Sequence, residues 1–136
     1  MVDRVSPERR RYIMQRVGSR DTKPEMVVRR MLHALGYRYR LHRKDLPGRP
    51  DLAFPRRRKA IFVNGCFWHG HGCHLGQLPK SRLEYWGPKI RANRDRDERK
   101  AAELEAQGWR VMTVWQCELK EPDTALDRMV EFLERA

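Results

Sequence analysis

The segment CFWHGHGCHLGQLPK, residues 66–80, is the part of the chain that most restricts how it can fold. Glycine and histidine recur in it with neither the strand period of 2 nor the helical 3.6, so it reads as a loop that apolar burial cannot hold. Cys66 and Cys73 bracket its first half, His69, His71 and His74 lie in or beside it, and a distant Cys117 follows a strand-like stretch. Three thiolates and one imidazole make a tetrahedral set suited to Zn²⁺. Spacing alone leaves the choice among the three histidines open, and the alternative is buried thiols near surface histidines.

Zinc is favoured over disulfides by the odd total of 3 cysteines and by the compartment expected for the chain. The N-terminus, MVDRVSPERRR, has no apolar signal segment, and no apolar run approaches the ~18 residues of a membrane span. The expectation is a cytoplasmic protein under reducing conditions, without a membrane partner. Its 30 Lys+Arg against 18 Asp+Glu give a formal charge of +12. Such an excess, mostly arginine, points to a polyanion, with nucleic acid first. A solubilising surface charge is the bland alternative. At 136 residues the chain has room for one domain with a substantial core.

Along the chain, Ser6-Pro7 starts a short basic helix that ends at Gly18. Residues 1–20 thus form an arm, and residues 21–136 a single domain. Thr22-Lys23-Pro24-Glu25 reads as a capping box, followed by Val27, Val28, Met31, Leu32 and Leu35 at helical spacing up to Gly36. Strands are expected at Tyr37–Leu41, Asp51–Phe54, Ala60–Val63 and Trp109–Trp115. Helices are expected over Ser81–Gln107, interrupted near Gly87-Pro88, and over Asp123–Arg135. The order α-α-β-β-β-α-β-α predicts an α/β fold with helices packed on one sheet.

Three carboxylates merit attention. Asp51 follows a Pro-Gly-Arg-Pro turn at the mouth of a strand, where it can enter a cleft and hold a hard cation such as Mg²⁺, or simply serve the turn. Glu25 can belong to its capping box or face the same cleft. Asp97 shares a helical face with Ile90, Ala101 and Leu104, and a carboxylate aimed inward needs a partner or a task. Among the aromatics, Phe67, Trp68 and Trp86 fall on or beside loops and can wedge between base pairs or pack in a core. Trp109 and Trp115 alternate with Val111 and Thr113 and are assigned to the core.

Four motifs together carry a resemblance over most of the chain: PGRPD (47–51), NGCFWHGHGC (64–73), Lys89-Ile90 with Asn93, Arg96 and Asp97, and GWRVMTVWQC (108–117). They look like the very short patch repair endonuclease family. The resemblance implies a restriction-endonuclease-like fold, a central mixed sheet flanked by helices. It also implies a Mg²⁺-dependent enzyme that nicks one strand 5′ of the thymine in a T:G mismatch left by deaminated 5-methylcytosine. Asp51 then resembles the Mg²⁺-binding carboxylate, His69 the catalytic histidine, and Glu25 and Asp97 the residues that order metal-bound water. Cys66, His71, Cys73 and Cys117 match the zinc ligands.

Phe67, Trp68 and Trp86 match rings that enter the DNA from the major groove, while Met14 and Val17 approach from the minor groove beside arm arginines such as Arg16 and Arg20. The chain departs from the family at Asn64, where members can carry a histidine able to act as general base; an amide cannot take that proton. It also lacks the usual Glu-x-Lys, so a backbone carbonyl near Val63 is the expected second metal ligand. Expected partners are mismatched duplex DNA, with functional links to a cytosine-5 methyltransferase and to mismatch-repair proteins, for a monomer near the bacterial nucleoid. A zinc-stabilised binding module without cleavage, or a nuclease of this fold with another DNA substrate, are the rival readings.

Overall fold

The computed structural model describes residues 7–8, 24–66 and 83–135, with backbone alone for residues 83–86. The basic arm with Met14, Arg16, Val17 and Arg20, and the loop with Phe67, Trp68, His69, His71 and Cys73, fall outside the described residues, as does the side chain of Trp86. Thr22 of the expected capping box also lies outside them.

The first complete helix, α1, spans Pro24–Ala34 and buries Val27, Val28, Met31 and Leu32, the stripe expected from its spacing. Gly36, at φ 87°, closes it in the left-handed region that glycine enters without a Cβ penalty. Then follow β1 (Arg40–Leu41), β2 (Leu52–Phe54), β3 (Lys59–Asn64), α2 (Leu83–Ala106), β4 (Arg110–Trp115), a short 3₁₀ turn (Gln116–Lys120) and α3 (Pro122–Glu134). The expected first strand shrinks to its last two residues, and Tyr37 and Tyr39 instead set their rings edge-on to Phe54.

The four strands lie in the order β1-β2-β3-β4. The first three pair antiparallel, whereas β4 joins β3 in parallel. A parallel neighbour requires a crossover, and α2 lies in that connection. Gly87-Pro88 does not interrupt α2. Pro88 forfeits one hydrogen bond, to the Glu84 carbonyl near the start of the helix, where its fixed φ is still helical.

Helices cover both faces of the sheet. On one, α1 and α3 pack Met31, Leu32, Leu126, Met129 and Leu133 against Leu52, Phe54, Ile61 and Val114. On the other, Leu104 of α2 meets Leu46, Ala53, Ala60 and Trp109, with Phe62 and Val111 alongside. Alternate residues of β4 therefore contribute to two cores, because a crossover helix covers the second face of the sheet. Trp109 is buried, but Trp115 is only partly so.

Lys59 is 4% exposed and ties β3 to α3. Its Nζ donates to the carbonyls of Phe132 (2.6 Å), Leu133 (3.1 Å) and Arg135, groups that the end of a helix leaves without partners.

The 47–51 turn is fixed by a close approach. Gly48 has φ 76°, and a Cβ there would stand 2.8 Å from Lys100 Cβ and 3.2 Å from Phe62 Cζ. Gly48→Ala should therefore push the turn off α2 and cost about 1–3 kcal/mol. Thermal melting checks this, and an unchanged midpoint would remove the turn's packing role.

Candidate active site

The β1–β2 register pairs Arg40 with Ala53 and Leu41 with Leu52, so the next residues across the ladder are His42 and Asp51. The His42 N–H donates to the Asp51 carbonyl at 3.4 Å. The Asp51 carboxylate turns toward β3, where Oδ2 accepts the Val63 N–H at 2.6 Å. Glu25 arrives from the first turn of α1, and ligand atoms of Glu25, His42 and Asp51 all lie within 4.8 Å of one another.

Within this group His42 Nε2 is 3.0 Å from Glu25 Oε1, and His42 Nδ1 is 3.7 Å from Asp51 Oδ1. Arg29, one turn beyond Glu25, donates to its Oε2 at 2.6 Å and also lies 3.1 Å from His42 Nε2. Burial, and then the proton Asp51 shares with Glu25, push the Asp51 carboxyl up to about 6, against the opposing hydrogen bond from Val63. Two carboxylates forced together out of water lose some of this strain if a cation sits between them.

Beyond Asp51 opens a cleft of about 290 Å³ between the sheet and α2. Asp51, Val63 and Asn64 line its sheet side, and Arg96, Asp97 and Lys100 line the helix side. Asn64, 7% exposed, ends β3 at the register position of Trp115. The face of Asp97 expected from helical arithmetic does point inward, but into this cleft and only half-buried. Carboxylates and cations on facing walls suit a phosphodiester, whose charge needs cations and whose hydrolysis needs a metal or ordered water. A larger groove, about 1120 Å³, is lined by Arg38, Arg40, Arg56 and Arg57 with no carboxylate, so it offers charge without that chemistry.

Of the residues singled out from sequence, Glu25, Asp51, Val63, Asn64 and Asp97 thus gather around one region. His69 lies outside the described residues. The sequence reading missed His42, Arg49, Arg96 and Lys100 as parts of the site. A histidine ending a strand-like stretch was the only signal for His42, and its pairing with Asp51 depends on how residues 43–50 close.

The parallel register of β3 and β4 pairs Asn64 with Trp115, which brings Cys66 and Cys117 together two residues further on. The Cys117 N–H donates to Cys66 Sγ at 3.3 Å, and Cys66 is fully buried. Two cysteine sulfurs brought to the same strand ends, one of them accepting a backbone N–H, are donors that fit Zn²⁺. His71 and Cys73, the other two expected ligands, are outside the described residues.

The profile of the family described as "DNA mismatch endonuclease Vsr" matches residues 2–75. The chain is 69% identical over 121 residues to "Type II nicking enzyme V.XorIIP" of Xanthomonas oryzae, covering 89% of each protein. It is 41% identical over 107 residues to "DNA mismatch endonuclease Vsr" of Escherichia coli, covering 79% of this chain and 69% of that one. It is 39% identical over 129 residues to "Type II nicking enzyme V.NmeAIP" of Neisseria meningitidis, covering 95% and 92%. A cleft of this chemistry on this fold, with such relatives, is that of a DNA endonuclease. The chain belongs to the Vsr family of DNA mismatch endonucleases.

Proposed function

We propose that this endonuclease nicks one strand of duplex DNA on the 5′ side of the thymine in a T:G mismatch, using Mg²⁺ held at Asp51. The observation that carries the proposal is the cleft in which Asp51 and Asn64 of the sheet face Arg96, Asp97 and Lys100 of the helix. The mixed α/β sheet is consistent with the restriction-endonuclease-like fold, and the relatives named as nicking enzymes favour single-strand cleavage.

Asp51 and the Val63 carbonyl would hold the ion, with Glu25 and Asp97 ordering water around it. Mg²⁺ bound there would supply a Lewis acid for the phosphate and a water of lowered pKa. Arg96, Lys100 and Arg49 neutralise the phosphate charge at the cleft wall. Asn64 orients the attacking water by hydrogen bonding, and the proton passes to another group, for which His69 is the proposed acceptor. Water adds to phosphorus as the bond to the 3′-oxygen breaks, leaving 3′-hydroxyl and 5′-phosphate ends.

The arm with Met14, Arg16, Val17 and Arg20, and the rings of Phe67, Trp68 and Trp86, are proposed to grip the mismatch from the two grooves. Zn²⁺ on Cys66, His71, Cys73 and Cys117, with all four positions filled by protein, has a structural role in this proposal. Among the described residues no helix is long and apolar enough to cross a membrane. A bacterial cytoplasmic monomer acting at the nucleoid, linked functionally to a cytosine-5 methyltransferase and to mismatch-repair proteins, completes the proposal.

A nicking assay on end-labelled duplexes tests it. With Mg²⁺, the T:G duplex should be cut in one strand, at least tenfold faster than the same duplex carrying G:C or A:T. Equal cutting of all three, or none of any, defeats the proposal. Tight mismatch binding without cleavage would favour the rival binding module.

A further inference from the structure

His42 is the one member of the Glu25–His42–Asp51 group that is not a carboxylate, and its placement is over-determined. It sits opposite Asp51 in the ladder, with its N–H on the Asp51 carbonyl, and its backbone takes φ 48°, a left-handed conformation uncommon outside glycine. Its imidazole reaches both acids: Nδ1 lies 3.7 Å from Asp51 Oδ1 and Nε2 lies 3.0 Å from Glu25 Oε1. Two ligands on a single divalent ion at ~2.1 Å stand roughly 3.0 to 3.5 Å apart, so the Nδ1–Asp51 pair is nearly at the spacing of a shared ion.

The carboxylate on the far side of the ring is the partner a metal-bound imidazole needs. Such a ring binds metal through one nitrogen and donates its other N–H to a carboxylate, which fixes the tautomer and raises ligand basicity. Glu25 Oε1 is in position to accept from Nε2–H at 3.0 Å, while its other oxygen is held at 2.6 Å by Arg29, whose same nitrogen also lies 3.1 Å from Nε2. The result is a continuous relay, Arg29 to Glu25 to His42 on one side and Val63 N–H to Asp51 on the other. At 49% side-chain exposure His42 adds little apolar burial, so packing does not account for the strained backbone.

We infer that His42 is a protein ligand of the divalent ion at Asp51, bound through Nδ1 with Glu25 as the acceptor of Nε2–H. This rests on the proposed cation role of Asp51 and adds to it a metal preference. A site with an imidazole nitrogen discriminates against Mg²⁺, which favours oxygen, and toward first-row transition ions. Mn²⁺ is the informative probe, because it is paramagnetic and, unlike Co²⁺, does not compete well for a thiolate zinc site.

The test is direct Mn²⁺ binding by the zinc-loaded full chain without DNA, read by titration and by pulsed EPR. The parent should bind Mn²⁺ about tenfold or more tighter than Mg²⁺ and show coupling to an imidazole ¹⁴N. His42→Gln should lose that coupling and weaken Mn²⁺ about tenfold, an effect in the range for lost metal contacts, while Mg²⁺ changes less than about twofold. Mn²⁺ bound without nitrogen coupling, yet released by Asp51→Asn, overturns the inference and leaves the cation role of Asp51 standing. Mn²⁺ binding indifferent to Asp51→Asn overturns both. A nitrogen signal that persists in both His42→Gln and His42→Ala also overturns the assignment to His42.

Discussion

Asp51→Asn should make the metal-free protein more stable while reducing nicking by at least about a thousandfold, the order expected when the group that carries a catalytic ion is lost. The stability gain follows from the carboxyl being held up at about 6 by burial and by Glu25. Well below pH 3.8 the acid is protonated in both the folded and unfolded chain. As pH rises from about 4 to about 6 the unfolded chain ionises first, so the parent progressively loses stability, and above about 6 the loss is constant.

A shift from 3.8 to about 6 corresponds to about 3 kcal/mol. Because the Asp51 side chain keeps 21% exposure, solvent screening reduces the expected gain to about 1–2 kcal/mol at pH 8. Asparagine can still accept the Val63 N–H, so the variant loses charge without losing that bond. Chemical denaturation of parent and variant at pH 4 and pH 8, in a chelator, checks the prediction. The difference should open with pH and shrink again when Mg²⁺ is restored, since only the parent gains from the ion. A variant less stable than the parent at pH 8 would show that Asp51 serves the fold instead of straining it.

Removing the proposed zinc should have the larger effect on stability. Cys66 is fully buried beside Cys117, just past the ends of β3 and β4, and the sequence that follows from residue 67 has no apolar period. Structural zinc contributes about 10–16 kcal/mol to zinc-finger peptides that have no other core. Here two cores remain, so stripping the ion or introducing Cys66→Ser should cost about 3–5 kcal/mol and lower the melting midpoint by about 10–20 °C. Metal analysis should return one zinc per chain before stripping. Mismatch binding should fall with stability, since Phe67, Trp68 and His69, proposed to act at the mismatch, lie in sequence between the proposed ligands Cys66 and His71. A chelated protein that keeps its midpoint and its binding would leave the cysteines without a metal role.

The two features behind these predictions differ in how far the chain announces them. Asp51 is marked by Pro47-Gly48-Arg49-Pro50, a turn chemistry that places the next residue at a strand mouth whatever the rest of the chain does. Val27, Val28, Met31 and Leu32 likewise declare the buried face of α1, because a 3.6 period can be satisfied in only one way. Asp97 was legible as inward-facing but not as a cleft residue, since helical spacing gives a direction and not what lies opposite. His42 was invisible, because its partner is set by strand register across an eight-residue loop.

By itself the sequence determined the kinds of element and their order, the breaks between them, the excess of positive charge and the donors available to a metal. Each depends on neighbours within a few positions or on composition, where short-range sterics and side-chain chemistry dominate. Tertiary structure alone decided which strand lies beside which, and hence that Cys66 meets Cys117 and that His42 faces Asp51. It also decided that β4 contributes to both cores and that α2 runs through Pro88, because a crossover helix must cover the sheet and packing outweighs one missing hydrogen bond. The charge state of Asp51 belongs with these: a carboxyl reaches about 6 only when distant segments remove its water and place Glu25 beside it.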